Sequence, residues 1–327
     1  MWPRFPRLNS HGEYPMASNR PSQDQVLDYM NSLSNWGRWG DEDELGTLNH
    51  LSAEKTKAAA ALVQDGETIT CARPIDYRGG EHSPRPPQHF MVATGEGYRP
   101  GDGGPDRQVA MDYFGLIFHG HSVTHLDSLA HFFWDGSMYN GHPSTLVTAS
   151  QGALKESVDV AHKGIVSRGV LVDVPYLRGV DHIEPGDGVT LDDIAAAEER
   201  CGFTIEPGDV LLMRTGQYKT ILANGPLPPT SSCGPFPEIL PLLHERGVAV
   251  SGSDTGNDVV PTGYERFSNP FHQIGIVALG LWILDNADLE GLSAACQKRN
   301  RWEFLINILP LRIPNATGSP CNPIAVF

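Results

Sequence analysis

Short apolar runs alternate with amphipathic stretches and turn-forming residues through the second half of the chain. Gly169–Val174 (GVLVDV) is a continuous apolar run with the length and β-branched content of a buried strand. Thr190 followed by an acid at Asp193 spells a variant capping box and predicts a helix that ends near Cys201–Gly202. Asp209–Thr215 reads as the next strand and Pro237–Glu245 as a helix closed by Gly247. Val248–Ser251 leads into the turn-rich SGSDTGND. Phe271–Leu279 has helical character, Gly280 stops it, and Leu281–Leu284 is again a strand. Alternation of this kind predicts an α/β architecture.

The first half is less regular. Ser52 caps a predicted helix from Ala53 to Gln64 with Gly66 near its end, and a strand follows over Thr68–Ala72. Residues 76–109 are rich in Gly, Pro, Arg and His and show little periodicity, which predicts a long loop used as a lid or an oligomer contact. Tyr113–Phe118 is aromatic-rich and reads as a buried strand that delivers the chain into a histidine cluster. There is no repeat and no break in composition, so residues 22–327 form one predicted domain. A polar, Pro-interrupted extension over 1–21 precedes it and is expected to be flexible.

Composition narrows the function. The 327 residues are ample for a real core. With 24 Lys plus Arg against 39 Asp plus Glu, the formal charge is −15, which disfavours nucleic acid and anionic membrane surfaces alike. The longest apolar candidate, Ile274–Leu284, is too short to span a bilayer. Five scattered cysteines with no CxxC predict reduced thiols in a cytoplasmic protein, and the N-terminus lacks the apolar stretch of a secretory signal.

The chemistry concentrates in His119-Gly-His121-Ser-Val-Thr-His125-Leu-Asp127-Ser-Leu-Ala-His131. Two histidines four apart with a carboxylate two further on suit one divalent ion of the Zn²⁺, Mn²⁺ or Fe²⁺ type. Three protein ligands leave coordination positions free for water and substrate. His131 lies close enough in sequence to act as general base or acid. His119 competes with His121 as first ligand, because alternate residues of a strand point the same way. A lone histidine is more often a packing residue, but four with an Asp at this spacing are hard to explain by packing. Neither a cupin pattern, which needs a Glu, nor the HxHxDH of metallo-β-lactamases fits as well.

Weaker candidates stand further off. Trp36 and Trp39 either line an aromatic substrate pocket or pack an N-terminal segment on the core, and Tyr139 either positions a carbonyl or precedes a plain turn at Gly141. Asp254 sits in a turn that favours Asp for local hydrogen bonding. Arg214 and Thr215 follow a strand end, where ligand contacts and a buried Arg–carboxylate pair are equally expected.

The run THLDSLAHFFWDGSMYNG resembles the signature HxGTHxDxPxHF of the cyclase family of metal-dependent hydrolases, whose members include bacterial kynurenine formamidase and isatin hydrolase. His121, Thr124, His125, Asp127, His131 and Phe132 match, while Val123 replaces the Gly and Leu129 the Pro. WGRWGDEDELGTLN, RGVLVD, PGDVLLMRTG, HQIGIVALGLWILDN and LRIPNATGSPCNPIAVF resemble segments of the family's longer branch. The resemblance implies an α/β fold with a mixed sheet or small β-barrel core flanked by helices. It also implies metal ligation by His121, His125 and Asp127, with His131 as proton shuttle. Formamidase-type members add a second metal held by a later His and a Glu twelve residues on. The later His matches His272, but twelve residues beyond it stands Leu284, with Asp285 one further. A single ion, Mn²⁺ or Zn²⁺, is therefore expected, with His272 and Gln273 binding substrate or a metal-bound water and Asp285 finishing a strand; two ions would make His272 and Asp285 the extra ligands.

The implied activity is hydrolysis of a small carbonyl substrate by activated water: a cyclic amide or lactone opened, or an N-formyl amide cleaved. The implied assembly is a homodimer or homotetramer. A lyase, dehydratase or cyclase using the same site, a metal oxygenase, and a non-catalytic small-molecule binding protein are the alternatives.

Overall fold

The buried runs assemble side by side into a nine-stranded sheet in the computed structural model, which describes residues 20–79, 83–99, 101, 108–228 and 230–327. Most of the N-terminal extension expected over 1–21 lies outside the described residues. The strand order is Thr68–Thr70, Ile324–Val326, Glu303–Ile308, Ile165–Asp173, Val210–Arg214, Val250–Ser253, Trp282–Asp285, His125–Asp127 and Gly318–Pro320. The four strands from Ile165–Asp173 to Trp282–Asp285 are mutually parallel, and the flanking strands are antiparallel. The sheet curls into a half-barrel flanked by helices.

Three of the parallel strands (VLLMR, VSGS and WILD) are buried at every position. This is why VLLMR and WILD open on continuous apolar runs, since helices cover both faces of a parallel sheet, while VSGS is buried with small residues. Burying one Leu such as Leu212 or Leu284 contributes about 1.5–3 kcal/mol, and truncation to Ala costs about 2–5 kcal/mol.

The predicted caps at Ser52 and Thr190 are in place, and a further helix, Gln23–Ser32, starts where only ordered structure was expected. Ser22 and Gln25 form a capping box on Gln23–Ser32, Ser52 caps Ala53–Ala60, and Thr190 with Asp193 caps Leu191–Cys201. The helix predicted to reach Gln64 stops at Ala60. Pro270–Ile274 is α-helical and Gly275–Leu279 continues as a π turn, which ends at Gly280 in the left-handed region (φ 67°). A Cβ at Gly280 would also sit 2.6 Å from the Tyr139 ring, so this position needs glycine twice over.

Two expectations fail in the first half. Tyr113–Phe118 is not a buried strand: Met111–Gly115 is exposed. It pairs with Gln88–Ala93, a strand inside the segment expected to be a loop. The aromatic content was a poor guide to burial here.

Candidate metal centre

The strand His125-Leu-Asp127 turns His125 and Asp127 to the same face, since side chains alternate. Antiparallel register then sets Asp285 opposite His125 and Ile283 opposite Asp127, which adds the Asp285 carboxylate to that face. His272 comes from the helix that precedes Trp282–Asp285. The chain from His272 to Asp285 is one residue longer than the twelve-residue spacing. The π turn at Gly275–Leu279 takes up one residue more than an α turn would, and Asp285 rather than Leu284 faces the centre.

Asp127 is fully buried and forms the hub. His119 Nδ1 lies 3.0 Å and His125 Nε2 3.4 Å from its Oδ1, while His272 Nε2 lies 3.5 Å and His131 Nε2 3.8 Å from its Oδ2. None of these approaches has the alignment of a hydrogen bond, so both carboxylate oxygens go without one. The Asp285 Oδ2 is 3.7 Å from His125 Nε2 and 3.5 Å from His272 Nε2. The rings of His119 and His131 stack at 3.6 Å and 9°.

Surrounding groups fix the imidazoles. His125 Nδ1 donates to the Val123 carbonyl (2.8 Å) and His272 Nδ1 to Asp258 Oδ2 (2.6 Å), which turns both Nε2 lone pairs toward the carboxylates. Asp258 is buried and accepts from Phe271 N as well. Asn257 Nδ2 donates to Asp285 Oδ1 (2.7 Å), and His119 Nε2 bonds Thr317 Oγ1 (3.0 Å). Burial alone would raise the Asp127 pKa, but the imidazoles of His131, His119 and His125 outweigh it and hold the carboxyl well below the usual range. Burial opposes protonation of His272, yet Asp285, Asp127 and Asp258 raise its pKa well above the ordinary value. Burial depresses His131 to about 4, with the Asp127 charge only partly offsetting it.

A buried carboxylate with neither oxygen hydrogen-bonded is costly unless a cation takes the place of the missing donors. The donor set fits a divalent ion. Two groups of nitrogen and oxygen atoms lie close enough to share one: His119, Asp127 and His131, and His125, Asp127 and Asp285. They have Asp127 in common.

His121 stands at the edge of the centre on the Asp285 side, within electrostatic reach of Asp285, His125 and His272. It is exposed, its ring lies against Gly256 near Asp285, and it lines a cavity of about 730 Å³ with Arg73, Ile75, Tyr218, Leu222 and Ser232. Buried Arg73 fastens this wall by donating to the carbonyls of His121 (2.9 Å) and Asp254 (2.5 Å), with its guanidinium over the Tyr218 ring. Trp36, Trp39 and Tyr139 make their contacts elsewhere. Trp36 Nε1 donates to Val277 O, Trp39 meets the His50 ring edge-on, and the buried Tyr139 hydroxyl donates to Asp43. Gln273 accepts from Asn269 N at the start of its helix. Arg214 pairs with Asp173 and Glu290, and Asp254 accepts from Thr215 and Gly216.

Sequence reasoning missed Asp258 entirely and left Asp285 between a strand end and a second-metal ligand with His272. The Asp285 signal lay in strand register combined with the π turn, which no fixed spacing carries. Asp258 stands in a segment that reads only as a turn.

The sequence matches the model of a family described as "Putative cyclase" over residues 51–257. A crystal structure described as a novel cyclase is 34% identical, with a TM-score of 0.83 over 91% of this chain and 99% of that one. Isatin hydrolase A from Labrenzia aggregata, bound to benzyl benzoate, is 20% identical over 82% of this chain and 94% of its own, with a TM-score of 0.56. Isatin hydrolase A from Ralstonia solanacearum is 18% identical over 85% and 98%, with a TM-score of 0.57. At these identities the last two share the fold. No curated protein matches the sequence significantly.

Proposed function

The chain belongs to the cyclase family, and we propose that it is a metal-dependent hydrolase acting on a small carbonyl compound, a cyclic amide, a lactone or an N-formyl amide. The observation that carries this reading is the buried Asp127 carboxylate, without a hydrogen bond and ringed by four imidazoles. His125, Asp127, Asp285 and His272 would hold the ion on one side of the hub, and His119 with His131 flanks it on the other. A bound divalent ion, Mn²⁺ or Zn²⁺, supplies Lewis-acid polarisation of the carbonyl and a lowered pKa for water.

The chain's own groups supply the rest. His131, whose depressed pKa leaves it neutral at pH 7, accepts a proton from the attacking water. The water oxygen bonds to the carbonyl carbon, the C–N or C–O bond breaks, and His131 returns the proton to the departing nitrogen or oxygen. Asp258 and the Val123 carbonyl hold their imidazoles in one tautomer. The 730 Å³ cavity has the size of a small-molecule site, with apolar walls at Ile75, Tyr218 and Leu222 and a few convergent polar groups. Similarity to isatin hydrolases supports a cyclic amide as the first substrate to try. Among the described residues no helix is long and apolar enough to cross a membrane.

The test is metal content by plasma mass spectrometry on protein purified without chelators, followed by turnover of cyclic amides, lactones and N-formyl amides in ¹⁸O water. One metal per chain and label in a new carboxylate are expected. Two per chain would place ions on both sides of Asp127. No metal after soaking with Mn²⁺ and Zn²⁺ would overturn the reading, and turnover without label would assign lyase chemistry instead.

A further inference from the structure

Arg73 is a buried cation without a counter-ion. Three other half-buried or buried arginines each hold two carboxylates: Arg214 holds Asp173 and Glu290, Arg168 holds Asp209 and Glu303, and Arg178 holds Asp187 and Asp193. Arg73 is as buried as Arg214, at 7% against 6% exposed. Yet among the described residues its guanidinium meets no carboxylate at ion-pair distance. Two of its five N–H groups donate to the carbonyls of His121 and Asp254, and its Nε is buried with no acceptor.

These partners satisfy donors without cancelling charge. The Tyr218 ring, 4.3 Å from the guanidinium carbon, favours a cation but carries no negative charge. Asp254 attracts Arg73 from further off, but its own carboxylate is committed to Thr215 and Gly216. Burial lowers the Arg73 pKa to about 10, with Asp254 opposing, so the group stays charged near neutral pH. A buried charge left unpaired is costly, and an anion that enters beside it recovers that cost.

The place for such an anion is the cavity of about 730 Å³. Arg73 lines it together with His121 and Tyr218, the two residues that flank the guanidinium. His121 also joins the cavity to the metal centre, because its carbonyl accepts from Arg73 while its ring stands near Asp285. A ligand that reaches from the centre past His121 therefore ends at Arg73.

We propose that Arg73 sets substrate specificity by binding a carboxylate at the end of the substrate remote from the bond that is cleaved. The proposal rests on the hydrolase reading of the centre and narrows its substrates to carbonyl compounds that carry a free carboxylate. The charge count selects this anion over a phosphate. Arg78, also on the cavity wall, is gripped through Nε and Nη2 by Asp76, which leaves Arg73 to offer one positive charge. A planar guanidinium fork matches a planar, singly charged carboxylate. Ile75 and Leu222 give the hydrocarbon body between the two ends an apolar wall. In a chain of formal charge −15, an anionic substrate needs such a local cation to enter at all.

Ligand-observed NMR titration of the full chain with benzoate, and with benzamide as its uncharged isostere, tests this. It uses neither turnover nor added metal, so it can fail while the hydrolase reading stands, and the reverse. Native protein is expected to bind benzoate about 10-fold more tightly than benzamide, the scale of a charge-assisted hydrogen bond against a neutral one. Arg73→Lys keeps the charge and is expected to keep the preference, whereas Arg73→Gln is expected to bind the two ligands alike. Absence of a preference in the native protein would overturn the proposal. So would a preference that survives in Arg73→Gln, which would put the carboxylate on the metal centre instead. Equal weakening of both ligands in Arg73→Gln would reduce Arg73 to a clasp on the His121 and Asp254 carbonyls. If Arg73→Gln does not fold, Leu222→Glu decides the matter. Leu222 is 65% exposed on the cavity wall, and an acid there repels the anion with the Arg73 hydrogen bonds intact. Loss of the benzoate preference is expected, and its retention would refute the role of charge.

Discussion

Asp127 and Glu156 are both buried carboxyl groups whose two oxygens accept no hydrogen bond, and the molecule treats them in opposite ways. Around Asp127 stand four imidazole nitrogens within 3.8 Å, and the carboxyl is held far below its usual pKa. Around Glu156 stand other acids. Burial, then Glu44 and Asp43, push its pKa up to about 9, with Lys155 opposing only weakly. One site keeps its negative charge and calls for a cation, whereas the other keeps its proton. Burial is common to both, so burial of an acid does not by itself mark a metal centre. The neighbours decide, and at Asp127 they are neutral-capable nitrogen donors, with the second nitrogens of His119, His125 and His272 already committed.

The strongest attempt to break this contrast is Asp127→Asn. It is expected to lose metal and to lower hydrolysis by more than ~10³-fold while the fold persists, because the Asp127 carboxylate belongs to both candidate groups. Retained metal, read by mass spectrometry, would remove Asp127 from the centre. His131→Ala is expected to keep its metal and slow turnover by ~10²–10⁴-fold, the usual scale for a proton-transfer group. If metal leaves with the side chain, His131 is a ligand. Asp258→Asn leaves every ligand atom in place and weakens only the hold on His272 Nδ1. Competition with a graded chelator is expected to show ~10–100-fold weaker metal binding, and unchanged affinity would reduce Asp258 to packing.

Glu156→Gln gives the smallest effect and sharpens the other half of the comparison. An acid whose folded pKa is raised contributes stability that is complete below its ordinary pKa near 4.5 and is lost as pH climbs toward about 9. The variant removes that loss. It is expected to melt like the native protein at pH 4 and to be more stable by about 1 kcal/mol or more at pH 8. Parallel melting curves at both pH values would show that Glu156 ionises freely in the folded state.

How far the sequence spoke depended on what each element buries. The parallel strands were legible because both of their faces are covered, so Val210–Arg214 and Trp282–Asp285 are apolar up to their last residue. Helix starts were legible at Ser52 and Thr190 because a cap is a local hydrogen bond. His125 and Asp127 were legible as a pair because two residues on one strand share a face. Asp285 was not, since its place depends on which strand lies beside it and in what register. The hairpin of Gln88–Ala93 and Met111–Gly115 misled in the other direction: its aromatic residues look like core, but among the described residues they stay about half exposed. Trp36, Trp39 and Tyr139 suggested a pocket on residue type alone, and the structure gives them contacts with Val277, His50 and Asp43.

The π turn between His272 and Asp285 has a consequence for how such chains are compared. A search that counts a fixed number of positions from the late histidine finds Leu284 and scores the carboxylate as lost, although three-dimensional space still contains it. Removing one residue from Gly275–Leu279 would restore the shorter count on paper. A residue taken up by a helical turn in this way changes the count along the chain while the carboxylate still lies 3.5 Å from His272 Nε2.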